Sequence, residues 1–153
     1  MKTLKTFLTA FALSTMVLTI PTTSQALDAA SVLRPIVVKL ALFESLTGND
    51  GWHRSHDRKV NGLRQGQSRI YHFNLDKDQH YKIMSTCDAD CSDLDLSLYD
   101  DNDNEISVDF SGDGTPIVEV APRWSGHYRL KVTMYHCNRN PCFYGVTTMA
   151  HPH

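Results

Sequence analysis

From Gly66 onward, apolar and polar residues alternate with a period of two: Tyr71, Phe73 and Leu75; Tyr81 and Ile83 running on to Cys87; Leu94, Leu96 and Leu98; Ile106, Val108 and Phe110; Val118 and Val120; Tyr128 through Met134; and Tyr144 with Val146. Alternation of this kind puts one set of side chains on a buried face and the other in water. Between the runs lie turn-forming clusters, "DKDQ", "DADCSD", "DDNDN", "SGDGTP", "APRWSG" and "CNRNPC", so that short strands follow one another at near-even spacing. The pattern predicts an all-β chain, an antiparallel β-sandwich of about seven to eight strands.

Upstream the period changes. Over 27–48, Val32, Leu33, Ile36, Val37, Leu40, Phe43 and Leu46 recur at steps of three and four, the spacing of one helix face. Asp28 or Ser31 is placed to cap the start, Pro35 falls in the first turn and Gly48 ends the helix. Residues 49–65 follow neither period and read as a linker, with the sandwich domain over 66–153.

The first 26 residues carry Lys2 and Lys5, then an apolar run from Phe7 to Ile20, then a polar stretch ending Ser24-Gln25-Ala26. This is the layout of a secretory signal peptide with small residues at the cleavage site. The apolar run falls short of the roughly 20 residues that span a bilayer, and no later stretch approaches that length. The expected mature chain is periplasmic or secreted, with no membrane span after cleavage. Cleavage removes two lysines and no acid, taking the formal charge from −2 to −4, and no basic patch of a nucleic-acid binder is present.

In that compartment four cysteines, Cys87, Cys91, Cys137 and Cys142, are expected to form disulfides. Three connectivities are open; the spacing favours Cys87 with Cys91 and Cys137 with Cys142. A four-thiolate zinc site fits the spacing poorly. The acidic stretch Asp88 to Phe110 holds nine acids and no Lys or Arg. Within it Asp88, Asp90, Asp93 and Asp95 form a candidate Ca²⁺ loop, since Ca²⁺ takes six to eight oxygen ligands. The competing reading is a solvated strand edge and turn. "DDNDNEISVDFS" fails as an EF-hand loop, because Gly and the bidentate Glu are missing at their positions. Eight histidines are scattered without a ligand spacing.

The order of "GQSRIYHFNLDKDQHYKI", "DLDLSLYD", an acidic turn, "TPIVEVAPRWSGHYRLKV" and "CFYGV" resembles the bacterial pre-peptidase C-terminal domain family over roughly Gly66 to Thr148. The matching features are Tyr71 and Phe73, the block from Asp93 to Tyr99, the corner from Ser125 to Tyr128, and Tyr144 to Val146. More distantly the chain resembles the collagen-binding modules of clostridial collagenases. The resemblance implies a small jelly-roll-like accessory domain of exported enzymes. It also implies that calcium, where bound, lies between the acidic loop and an N-terminal segment, here Asn49 and Asp50.

No nucleophile-elbow or zinc-peptidase motif occurs. The function expected is a non-catalytic exported module that binds a protein or polysaccharide through exposed aromatics, with Trp52, Tyr99, Trp124 and Tyr135 as candidates. The alternatives are a small exported hydrolase built on the Asp or His clusters, and a periplasmic inhibitor or structural partner docking through the helix.

Overall fold

The computed structural model describes residues 24–153, with side chains described from residue 30. One helix, α1 (Ser24–Gly48), precedes nine strands: β1 (His53–Arg54), β2 (Lys59–Leu63), β3 (Ser68–Leu75), β4 (Gln79–Cys87), β5 (Cys91–Tyr99), β6 (Glu105–Asp109), β7 (Ile117–Val120), β8 (Gly126–Cys137) and β9 (Cys142–Pro152). The strands form two antiparallel sheets. One has the order β2-β9-β4-β7, with β1 sharing the β2 edge of β9; the other has the order β3-β8-β5-β6. The two-sheet sandwich is the one the alternation predicts, and successive strands cross repeatedly between the sheets in a jelly-roll winding.

The inner faces meet in one core of Phe73, Leu75, Ile83, Leu94, Leu96, Leu98, Val118, Tyr128, Leu130, Val132, Met134, Tyr144 and Val146. Inside it the hydroxyls of Tyr71 and Tyr144 satisfy each other at 2.7 Å, as buried phenols require. A second, smaller core lies outside the five-stranded sheet. There Ile36 and Leu40, both fully buried, pack on Gly145 of β9, which explains why β9 is buried on both faces. Glu44 secures the helix further. It accepts two hydrogen bonds from Arg58 (2.8 and 2.7 Å) and one from Thr147 (2.6 Å), with Arg54 at 3.6 Å. Burial pushes this carboxyl's pKa up, but the Arg58 and Thr147 hydrogen bonds and the arginine charges outweigh it and hold it below the ordinary value.

The structure departs from the sequence reading in four places. Residues 49–65 are not a linker, because β1 and β2 lie within them and close one edge of the sheet; this edge also raises the strand number to nine. The helix starts at Ser24 rather than after residue 26, so Pro35 sits well inside it and not in its first turn. The good helix formers Gln25, Ala26 and Leu27 account for the earlier start. The signal-peptide expectation falls mostly on 1–23, outside the described residues. Of the predicted helix stripe, Ile36 and Leu40 are buried while Val37 and Leu46 are exposed, as are Val38 and Leu42.

The fourth departure is in β6. Ile106, Val108 and Phe110 alternate like core residues but point outward. A register shift at Leu98/Tyr99 and the pairing of Leu96 with Asp109 turn Ser107 and Asp109 inward instead. Asp109 uses that position to accept the Ile117 N–H (2.8 Å) and the Ser111 N–H (3.0 Å), tying β6 to the start of β7.

Both expected disulfides form, Cys87–Cys91 and Cys137–Cys142. They pin the β4–β5 and β8–β9 loops at one end of the sandwich. There the Asn138 N–H donates to the Asp90 carbonyl (2.8 Å), and the Asp88 carboxylate accepts the Phe143 N–H (2.7 Å).

Candidate functional site

The two sheets differ in what covers them. The helix shields the outer face of the β9-β4 region, whereas the outer face of β3-β8-β5-β6 carries no other element of the described chain. The alternation that buries Leu94, Leu96 and Leu98 sends Asp93, Asp95, Ser97 and Tyr99 to this open face. On β8 the same rule sends out Arg129, Lys131, Thr133 and Tyr135, and on β3 Ser68, Ile70 and His72. Pairing aligns them in rows: Ile70, Lys131 and Ser97 with Val108; and His72, Arg129 and Tyr99.

Two shallow depressions lie on this face. One, of about 460 Å³, is lined by Asp93, Asp95, Phe110 and Tyr135, with Phe110 and Tyr135 58% and 64% exposed. The other, of about 190 Å³, is lined by Ile70, Tyr99, Asp103, Arg129 and Lys131. In the first, neither carboxylate is paired with a cation among the described residues, and Asp93 Oδ1 is buried without a partner. Burial, followed by repulsion from Asp93 and Asp109, pushes the Asp95 pKa up. In the second, Arg129 is paired with Asp103 and stands 5.8 Å from the Tyr99 ring, whose hydroxyl donates to Glu105 (2.8 Å). Lys131 has no such partner among the described residues.

The four aromatics expected as anchors do not form one surface. Tyr99 and Tyr135 share the open face. Trp124, 41% exposed, stands at the β7–β8 corner over a depression of about 390 Å³ with Arg123, Pro122 and Ile106, its carbonyl held by the Tyr128 hydroxyl (2.9 Å). Trp52 is half-buried beside the other sheet. It lies under Lys82 (4.7 Å) and between His80 (5.3 Å) and His151 (5.5 Å), so it is packing rather than an exposed anchor. Phe110 and Ile70, which complete the open face, escape a sequence reading: the alternation of β6 points Phe110 to the core, and Ile70 falls on the side that the alternation of Tyr71, Phe73 and Leu75 assigns to polar residues.

The candidate calcium donors are dispersed. Asp88 and Asp90 sit in the disulfide-pinned loop, where Asp88 Oδ2 and the Asp90 carbonyl already accept protein N–H groups. Asp93 and Asp95 stand on the open face of β5. Asn49 and Asp50 follow α1 beside Gly51, which abuts His151; the Asp88 loop bonds to Phe143, eight residues away along β9, or about 26 Å. Among the described residues no three His, Cys, Asp or Glu side chains converge as a metal needs, so this donor set does not fit a Ca²⁺ shell.

For hydrolysis, the contact among the described residues nearest to a nucleophile–base pair is Ser55 Oγ with His56 Nδ1 at 2.9 Å, a pairing that no sequence motif marks. The same hydroxyl lies 3.3 Å from the Thr148 carbonyl, and the contact braces the turn between β1 and β2.

The fold and the open face together define a class: a disulfide-bonded jelly-roll sandwich, helix-covered on one sheet and displaying aromatic and charged side chains on the other. No protein family and no curated protein matches the chain.

Proposed function

We propose that this chain is an exported, non-catalytic binding module, an accessory domain of the kind its resemblance to the pre-peptidase C-terminal family implies, and that it holds a polysaccharide on the open β3-β8-β5-β6 face. One observation carries the reading: the exposed rings of Phe110 and Tyr135 flank the carboxylates of Asp93 and Asp95, which no cation among the described residues neutralises. Flat apolar rings pack on the C–H faces of sugars, and carboxylates accept hydrogen bonds from their hydroxyls. The two disulfides support an oxidising compartment. A protein partner is the second occupant to test.

The test is retention on insoluble polysaccharides and retardation in gels containing soluble ones, with a panel of exported proteins in parallel. Tyr135→Ala and Phe110→Ala should each weaken binding about tenfold or more, the loss typical of an anchor residue. Retention unchanged in both variants, or none on any polymer, would remove the face from the function.

A further inference from the structure

We infer that the open face is self-complementary and pairs two copies of this chain face to face. The inference rests on the reading of this face as the binding surface and adds a second copy as its occupant when no polymer is bound.

The argument starts from how the face is charged. At the disulfide end, Asp93 and Asp95 lie between Tyr135 and Phe110. Toward the other end, Lys131 lies with Ile70, Tyr99 and Arg129, and since Asp103 already offsets the charge of Arg129, Lys131 is the cation this end offers. Both ends are concave and both carry exposed apolar surface, with Ile70 51% exposed at the basic end. A two-fold axis lying in the plane of contact, across the strands, sets a second copy with its strands antiparallel. The acidic half of each copy then lies over the basic half of the other, and every contact occurs twice. Lys131 and the two aspartates, all without ionic partners among the described residues, thereby gain them. The close approach of Asp93 and Asp95, unfavourable in the single chain, is relieved by cations from outside. A parallel arrangement would stack like on like.

The size of the face sets the strength. Four strands about 4.8 Å apart and eight paired residues at about 3.3 Å each give roughly 19 by 26 Å. Two such faces bury about 1,000 Å² in total, at the lower edge of specific interfaces, where complexes are weak and transient. The dimer should be concentration-dependent and salt-sensitive, since rim charges of this kind are screened.

Sedimentation velocity on the oxidised mature chain, without polymer, tests this. Interfaces at this lower edge are weak, so reversible dimerisation is expected between roughly 10 and 300 µM at low salt, weakened at least several-fold in ~0.5 M NaCl. Lys131→Glu and Asp95→Lys should each be monomeric across that range, with circular dichroism confirming the fold. Mixed in equal amounts the two variants should dimerise again, because each cross-contact is then between opposite charges. Ile70→Glu, on the same face, should also be monomeric and should not be rescued by either. A monomeric wild type, variants that still dimerise, or a mixture that stays monomeric overturns the inference. Polymer retention, measured separately on wild type and on the Lys131→Glu monomer, reports on the proposed function: a wild type that stays monomeric yet is retained sinks only the pairing, and a wild type that dimerises but is not retained sinks only the polymer binding.

Discussion

Gly145 is where the helix meets the sheet, and substituting it measures how firmly α1 belongs to the fold. A Cβ there would lie 2.7 Å from Ile36 Cγ2 and 2.8 Å from Leu40 Cδ1, against an optimal carbon–carbon separation of about 3.5–4.0 Å. Gly145→Ala must therefore lift the helix by close to an ångström or force both side chains off their rotamers. Ile36 and Leu40 are fully buried, worth roughly 1.5–3 kcal/mol each. A gap of 0.5–1 Å forfeits about a quarter to a half of the contact energy, or about 1–3 kcal/mol, the usual range for overpacking. Alanine in place of a strand glycine returns about 0.5–1 kcal/mol. The net expectation is a loss of about 1–2 kcal/mol, seen as a melting temperature lower by roughly 3–10 °C, with earlier tryptic cleavage at Lys39. Combining it with Ile36→Ala removes one of the two clashing atoms, so in that background the Gly145→Ala penalty should fall by about half, a coupling that a double-mutant cycle resolves. Unchanged or raised stability in Gly145→Ala, or strict additivity with Ile36→Ala, would mean the helix is not seated on β9 as described.

Three further outcomes are expected. His56, edge-on to Phe73 at 5.1 Å, is held below its ordinary pKa chiefly by burial; the unfolded chain then takes the proton more readily, so stability present above about pH 6.5 is lost as pH falls. His56→Gln should flatten that limb of a Tm-against-pH curve, leaving a second loss near pH 4 and below, where Glu44 and Asp109, both held low, take up protons; an unaltered upper limb refutes the assignment. Asp95 is displaced the other way, its carboxyl favoured in the protonated form, so stability declines as pH rises through its folded pKa. Asp95→Asn should raise Tm at pH 7 and have little effect at pH 3, and an equal change at both would argue against it. Calcium against excess chelator should leave Tm unmoved, because the acids do not converge; binding at a hundred times Kd would add about 2.7 kcal/mol, and a rise of several degrees would show that a shell forms.

The strands were legible where one face is buried and the other wet: Leu94, Leu96 and Leu98 against Asp93, Asp95 and Ser97 announce both β5 and its orientation. The local cysteine pairs followed from compartment and spacing. What failed to show has particular causes. "KVNGL" in β2 has no alternation, because this short strand at the sheet edge keeps mostly half-buried residues on both sides. In α1 the apolar residues go all the way round, so periodicity named Leu46 as readily as Leu40, and only contact with Gly145 separates them. The inversion of β6 depends on one register shift opposite Tyr99, which no composition records, and it exposes the ring of Phe110. Of the four aromatics chosen as anchors, Tyr99 and Tyr135 fell on the open face because alternation fixes their side; Trp52 and Trp124 lie in irregular segments where no such rule operates.

The strand order also has a consequence for when the fold becomes available. β9 lies between β2 and β4, and β8 between β3 and β5, so each sheet has an interior strand drawn from the last hairpin. Until residues 126–152 arrive, β2 and β3 have no partner and β4 and β5 lack one side. Their ladders to β9 and β8 span long stretches of chain, the non-local pairing that makes closure slow. A nascent chain of this sequence therefore cannot close either sheet until residues 126–152 have been delivered, a property that suits the export proposed above.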